Sequence, residues 1–121
     1  MNKRSVGSEY ERLAAEYLKR QGVTILCRNY RSRRGEIDLI GRDGEYLVFF
    51  EVKERLGPGS GYAAEAVTRT KQRTISAVAE YYLLKNGYGT DTPVRYDVIA
   101  IDRDRTEWIR NAFEHISSGM A

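Results

Sequence analysis

The sequence predicts an α/β domain in which a central mixed β-sheet carries helices on both sides. Three observations support that expectation. The segment Glu36–Lys53 alternates as two strands around Asp43-Gly44, and near the turn both of its faces are apolar, as in a sheet covered on each side. Two stretches with apolar residues at helical spacing, Ser8–Gln21 and Val67–Leu84, lie on either side of it in the chain. A chain of 121 residues, 41% hydrophobic and 31% charged, suits one domain that buries a core without a metal or disulfide staple.

The elements are expected in the order α-β-β-β-α-β-β. Tyr10, Leu13, Ala14, Tyr17 and Leu18 form one stripe of the first helix. Ser8 followed by Glu11 reads as its capping box and Gly22 as its stop. Val23–Tyr30 is rich in strand formers and holds Cys27 as a small core residue. The Glu36–Lys53 hairpin follows, then the flexible loop Leu56–Gly61. The second helix begins between Glu65 and Thr70, carries Val67, Lys71, Ile75, Val78 and Tyr82 on one face, and ends at Asn86-Gly87. Arg95–Ile101 and Thr106–Ala112 read as a last strand pair around Asp102–Arg105. The core of this single 1–121 domain spans about residues 6–113, and 114–121, with His115, is expected as a tail.

Composition removes several function classes. One cysteine and one histidine exclude a disulfide framework and a zinc finger, and they argue against a Cys–His or Ser–His–Asp catalyst. Gly57–Gly61 lacks the Gly-Lys-Ser/Thr ending of a phosphate-binding P-loop. No apolar run approaches the ~20 residues of a membrane span, and Lys3-Arg4 is not followed by the apolar segment of a secretory signal, so a cytoplasmic protein is expected.

The net charge is only +3, and its placement says more. Arg28, Arg31, Arg33 and Arg34 fall within seven acid-free residues that also hold Tyr30. Arg69, Lys71 and Arg73 open the second helix, with Arg55 upstream. These groups form either a phosphate-binding surface with a ring for stacking or a solvated turn and helix face.

If Asp43-Gly44 is a two-residue turn, Arg42 pairs with Glu45, Ile40 with Leu47, Asp38 with Phe49 and Glu36 with Glu51. Glu36, Asp38 and Ile40 then share a face with Leu47, Phe49, Glu51 and Lys53, and Asp38 lies diagonal to Glu51 at about 7–8 Å. Ile37, Leu39, Val48, Phe50 and Val52 line the other face. Three carboxylates on a covered strand repel and are costly to desolvate, so they call for a counter-ion beyond Lys53. Carboxylates and waters suit Mg2+ or Mn2+, and a neighbouring lysine can orient or deprotonate an attacking water. That chemistry hydrolyses phosphodiesters.

Asp38 followed after twelve residues by Glu51-Val52-Lys53 resembles the PD-(D/E)xK motif of the restriction-endonuclease-like superfamily. The wider set is more specific: Gly35–Ile40, Val48–Lys53, Glu11–Leu18, Arg28–Arg31, Ala66-Val67, Lys71-Gln72 and Arg95–Ile99. Over about residues 6–113 the chain resembles the YraN-like family of small bacterial proteins, which is similar to archaeal Holliday-junction resolvases. The resemblance implies a restriction-endonuclease-like fold. It also implies a DNA endonuclease acting at branched or junction structures, with a homodimer as the assembly that cuts them. Asp38 and Glu51 would hold the metal, with the Val52 carbonyl as a third ligand, Lys53 would assist the water, and Glu11 would reach in from the first helix. The family often has glycine where this chain has Tyr10, and the superfamily's proline before the aspartate is absent here. A nucleic-acid-binding or accessory protein with this fold and little turnover is the alternative.

Several of these residues have a second reading. Glu11 would serve the capping box in any helix. Glu36 can bind metal or pair with Arg33 or Arg34. Lys71, on an apolar stripe, either snorkels or turns its ammonium to the carboxylates or a phosphate. Tyr30 is either half-buried strand or a base-stacking ring.

Overall fold

The computed structural model describes residues 3–54, 67–102 and 104–117, with the backbone alone for residues 3–8. Along the chain run α1 (Lys3–Arg20), β1 (Thr24–Ser32), β2 (Gly35–Asp43), β3 (Tyr46–Glu54), α2 (Arg69–Lys85), β4 (Val94–Ile101) and β5 (Thr106–Phe113). This is the expected element order. The strands form one sheet, β1-β2-β3-β4-β5, antiparallel except for the parallel β3–β4 pair. Parallel neighbours need a crossover, and α2 lies on that connection. The loop Leu56–Gly61 and Arg55 lie outside the described residues.

β3 is the middle strand, and its Leu47–Phe50 run is buried throughout, which explains the apolar residues on both faces of the hairpin. On one side α1 packs Ala14, Ala15 and Leu18 against Leu39, Val48, Phe50, Ile99 and Ile101. On the other, α2 packs Ile75, Val78, Ala79 and Tyr82 against Ile40, Leu47, Phe49, Tyr96 and Val98. At about 25 cal/mol per Å2 of apolar surface, these two layers are the main stabilising contribution.

α1 begins at Lys3, so Ser8 lies inside the helix and the expected capping box does not form. An N-cap needs non-helical backbone, and the helix runs straight through that position. The stop is as expected: Gly22 takes φ +96°, and Val23 N–H bonds the Leu18 carbonyl at 3.0 Å.

The hairpin register is corrected. Asp43 faces Tyr46, Arg42 faces Leu47, Ile40 faces Phe49 and Leu39 faces Phe50, so the two turn residues are Gly44-Glu45. Gly44 takes φ +60° and Glu45 has no positive φ, the pattern of a type II′ turn. A type I′ turn at Asp43-Gly44 would instead force Asp43 into the left-handed region. Each partner moves by two residues, so the faces are preserved while the pairs change.

Ile37 departs from strict alternation: it packs in the α2-side core, not beside Leu39. Between the pairs Arg28–Leu39 and Tyr30–Ile37, Asn29 stands opposite Asp38 with φ +55°. A left-handed residue re-aims the side chains around it, as a bulge does. Nearby, β1 and β2 form a hairpin whose tip is Arg33-Arg34. At Gly35, φ +151°, a Cβ would come within 2.5 Å of Thr74 Cγ2, so only glycine lets β2 start this close to α2.

Candidate active site

The β2–β3 ladder ends at Leu39–Phe50, and beyond it the Val52 N–H donates to Asp38 Oδ2 at 2.8 Å. The corrected register brings Asp38 opposite Glu51, so that the two carboxyl groups act on each other's titration. Two neighbouring carboxylates repel, which disfavours ionising both. Glu51 is only 8% exposed. Burial, and then the charge of Asp38, push its pKa up to about 8. Burial raises Asp38 as well, against the opposing pull of the Val52 N–H. The expected opposition of Glu36 and Glu51 is therefore replaced by that of Asp38 and Glu51.

Lys71 resolves its two readings. From the first turn of α2 its Nζ lies 3.9 Å from Glu51 Oε2, facing the carboxylates. It offsets the charge on Glu51 more than Lys53 does; Lys53 is half-buried at the end of β3.

On the other side of Asp38, one carboxylate oxygen each from Glu11, Glu36 and Asp38 lie within 4.8 Å of one another. Glu11 arrives from α1. Burial and then the charge of Asp38 raise its pKa, against an opposing pull from the Asn29 side chain. Its Oε1 is buried without a hydrogen-bond partner among the described residues. Glu36 pairs with Arg31, Nε to Oε2 at 2.7 Å, not with Arg33 or Arg34. Glu51 stands outside this triangle, and Val52 contributes its N–H to Asp38. Asp38 is thus the member common to both halves of the corner.

The donor set fits a hard divalent cation. Its ligands are carboxylate oxygens, the donor type that magnesium and manganese take, and three of them converge from α1 and β2 within 4.8 Å of one another. Glu11 Oε1 lacks a donor, and a cation is one way to satisfy it. Among the described residues, no cation forms a direct ion pair with Asp38 or Glu11.

The expected basic residues divide. The charge of Arg28 reaches Glu11, and Arg31 holds Glu36, so both belong to the carboxylate corner. Arg33 and Arg34 are exposed at the hairpin tip, where Arg34 N–H bonds Ser32 Oγ at 3.1 Å. Arg73 is exposed on α2. Tyr10 directs its hydroxyl to Glu54 at 2.9 Å. Tyr30 is half-buried, its ring edge-on to Tyr82 at 5.1 Å.

Sequence reasoning missed Asn29, whose left-handed backbone opposite Asp38 shapes the corner. An asparagine between arginines on a strand was the available signal, since asparagine tolerates positive φ. It also missed His115, which bridges Tyr96 Oη (2.6 Å) and Glu80 Oε2 (2.7 Å) and ties the end of the chain to α2. Nothing local marks a lone histidine for that role. Among the described residues, no helix is long and apolar enough to cross a membrane.

Residues 10–101 match the model of the uncharacterised protein family UPF0102. A UPF0102 protein of Lachnoclostridium phytofermentans is 47% identical over 118 residues, covering 98% of this chain and 100% of its own length. One from Saccharophagus degradans is 45% identical over 107 residues, covering 88% and 91%. One from Vibrio cholerae is 44% identical over 115 residues, covering 93% and 94%. With a matched family model over most of its length and relatives this similar from end to end, the chain belongs to the UPF0102, or YraN-like, family.

Proposed function

We propose that this chain is an endonuclease with a restriction-endonuclease-like fold that hydrolyses DNA phosphodiester bonds using Mg2+ or Mn2+ held around Asp38. The observation that carries the reading is the convergence of four carboxyl groups, Glu51 beside Asp38 and oxygens of Glu11 and Glu36 within 4.8 Å of it, with Lys71 Nζ 3.9 Å from Glu51. When bound, the metal supplies Lewis-acid polarisation of the phosphodiester. Asp38, held in place by the Val52 N–H, would be one of the residues that hold it. Glu51, titrating near 8, takes up or releases a proton close to neutrality, as a general base requires. Lys53 and Lys71 place positive charge where the transition state gains negative charge. Arg28, Arg31, Arg33 and Arg34 hold the flanking phosphates. Four-way junctions need two such sites and hence a homodimer.

The second reading is a nucleic-acid-binding protein without turnover. The exposed Arg33-Arg34 tip favours it, because that tip can grip phosphates without any carboxylate. A cleavage panel of duplex, single-stranded, flap and four-way DNA with each metal separates the two, read beside calorimetric metal binding. Wild type should bind metal and cut. Asp38→Asn should lose both, because a neutral amide ligates a hard cation poorly. Lys53→Ala should keep the metal and lose cleavage, because a protonated lysine is not a ligand. Metal binding with no cleavage of any DNA rejects the nuclease in favour of the binding protein.

A further inference from the structure

A second concavity opens beside the carboxylate corner, between the edge strand β1 and the C-terminal half of α2. It encloses about 380 Å3 and is lined by Leu26, Cys27, Tyr30, Arg31, Tyr81, Tyr82, Lys85 and Asn86. Two of these residues are cations and none is a carboxylate. We infer that this cleft binds one unpaired nucleotide of a nucleic-acid strand, stacking its base on Tyr81 and holding its phosphate between Lys85 and Arg31. The inference deepens the nuclease reading and rests on it for the strand's onward path.

The lining has the parts that such a ligand needs. Tyr81 is 44% exposed, and the Lys85 ammonium sits 5.5 Å from its ring centroid, so ring and charge are held together. Leu26 is the residue that the β1 bulge pushes outward between Ile25 and Cys27, leaving it 41% exposed. An exposed ring, an apolar wall and a cation form a stacking platform for any base, since every base has a π-face. The size selects the unpaired state. A space near the lower end of the ~300–1,000 Å3 range of ligand pockets admits one planar group, while a base inside a duplex keeps its faces covered by its neighbours.

The position gives the cleft its link to the proposed chemistry. Arg31 lines it and, through Nε, holds Glu36, one of the three clustered carboxylates. A strand whose base rests on Tyr81 therefore runs past Arg31 toward Asp38. The favoured substrate is then single-stranded, or branched with an unpaired nucleotide beside the scissile bond.

The test is fluorescence anisotropy in EDTA with three labelled probes: a single-stranded DNA 12-mer, the same sequence as RNA, and its blunt DNA duplex. Tyr81→Ala should weaken single-strand binding about tenfold, within the range of one lost stack, and leave duplex binding unchanged. Tyr81→Phe should restore the affinity, because the ring and not the hydroxyl carries the contact. The DNA and RNA arms show which sugar the cleft accepts. Equal losses on single strand and duplex, no loss on either, or no single-strand binding by wild type each overturn the cleft. A wild type that cleaves but is indifferent to Tyr81→Ala rejects the cleft alone. A wild type that binds through Tyr81 and never cleaves rejects the nuclease alone.

Discussion

Two buried acidic centres sit in the same sheet, and the chain treats them in opposite ways. Asp97, on β4, is 0% exposed and fully answered. It accepts from Arg95 Nε and Nη2, from Trp108 Nε1 at 2.8 Å and from the Asn111 N–H at 2.9 Å. A bulge in β5 around Asn111 (φ +53°) turns that N–H inward, and Arg95 also holds Asp43 at 2.8 Å. These acceptors hold the Arg95 proton far above even the ordinary arginine range. At the Asp38–Glu51 corner, by contrast, carboxylates face carboxylates, one buried oxygen has no donor, and the nearest ammonium lies 3.9 Å away. A charge buried for structure is given its counter-charge and all its hydrogen bonds, and a corner left short of both is suited to receiving something else.

The largest effect should come from breaking the satisfied centre. Asp97→Ala leaves the half-buried Arg95 with Asp43 alone, strips the inward Trp108 and Asn111 N–H groups of their acceptor, and should cost about 3 kcal/mol of folding stability. Urea unfolding followed by Trp108 fluorescence measures it, and a loss below about 1 kcal/mol would make Asp97 no more structural than a surface pair.

The unsatisfied centre should respond in the opposite direction. In chelator, the folded protein keeps the Glu51 proton up to about pH 8, while the unfolded chain releases it near 4.5. The native state therefore binds more protons across that window, so stability should fall as pH rises from about 4.5 to 8 and then level off. One pKa unit is about 1.4 kcal/mol, and because Asp38 titrates beside Glu51 the fall should be on the order of 3 kcal/mol. Glu51→Gln should flatten the curve and be the more stable protein at pH 8. A wild-type stability that climbs across this window would mean the corner is paired after all.

Metal should sharpen the contrast by a comparable or smaller amount. Mg2+ or Mn2+ at a hundred times its dissociation constant should stabilise wild type by about 2.7 kcal/mol. The gain should grow above pH 8, where the carboxylates are free of protons, and Asp38→Asn should show little of it. Equal metal-induced shifts in melting temperature for both proteins would place the cation elsewhere.

The smallest effect belongs to the cations outside both centres. Arg33 and Arg34 are exposed, unlike Arg95, and should carry counterion release instead of stability. Replacing both with serine should leave the melting temperature unchanged while reducing the salt slope of duplex binding by about two. An unchanged slope would return the hairpin tip to a plain solvated turn.

Much of the site was readable in the chain because side-chain parity along a strand is local. Ile40, Leu47 and Phe49 keep their shared face even though the turn moved to Gly44-Glu45, since a two-residue shift preserves faces. The apolar runs of β3 and the stripes of α1 and α2 likewise announced a sheet covered on both sides, because burial on two faces leaves no room for polar alternation. The sequence by itself thus determined the elements, their order and the candidate trio. Tertiary structure decided which acids meet. It set Asp38 against Glu51 through the register, brought Glu11 across from α1, turned Lys71 inward, and broke the alternation at Asn29. It alone separated the satisfied Asp97 from the unsatisfied corner, because an aspartate on a strand reads the same in sequence whether or not distant residues supply its partners. Charge interactions and hydrogen bonds depend on distances of a few ångströms between elements far apart in the chain, and those distances exist only once the layers have packed.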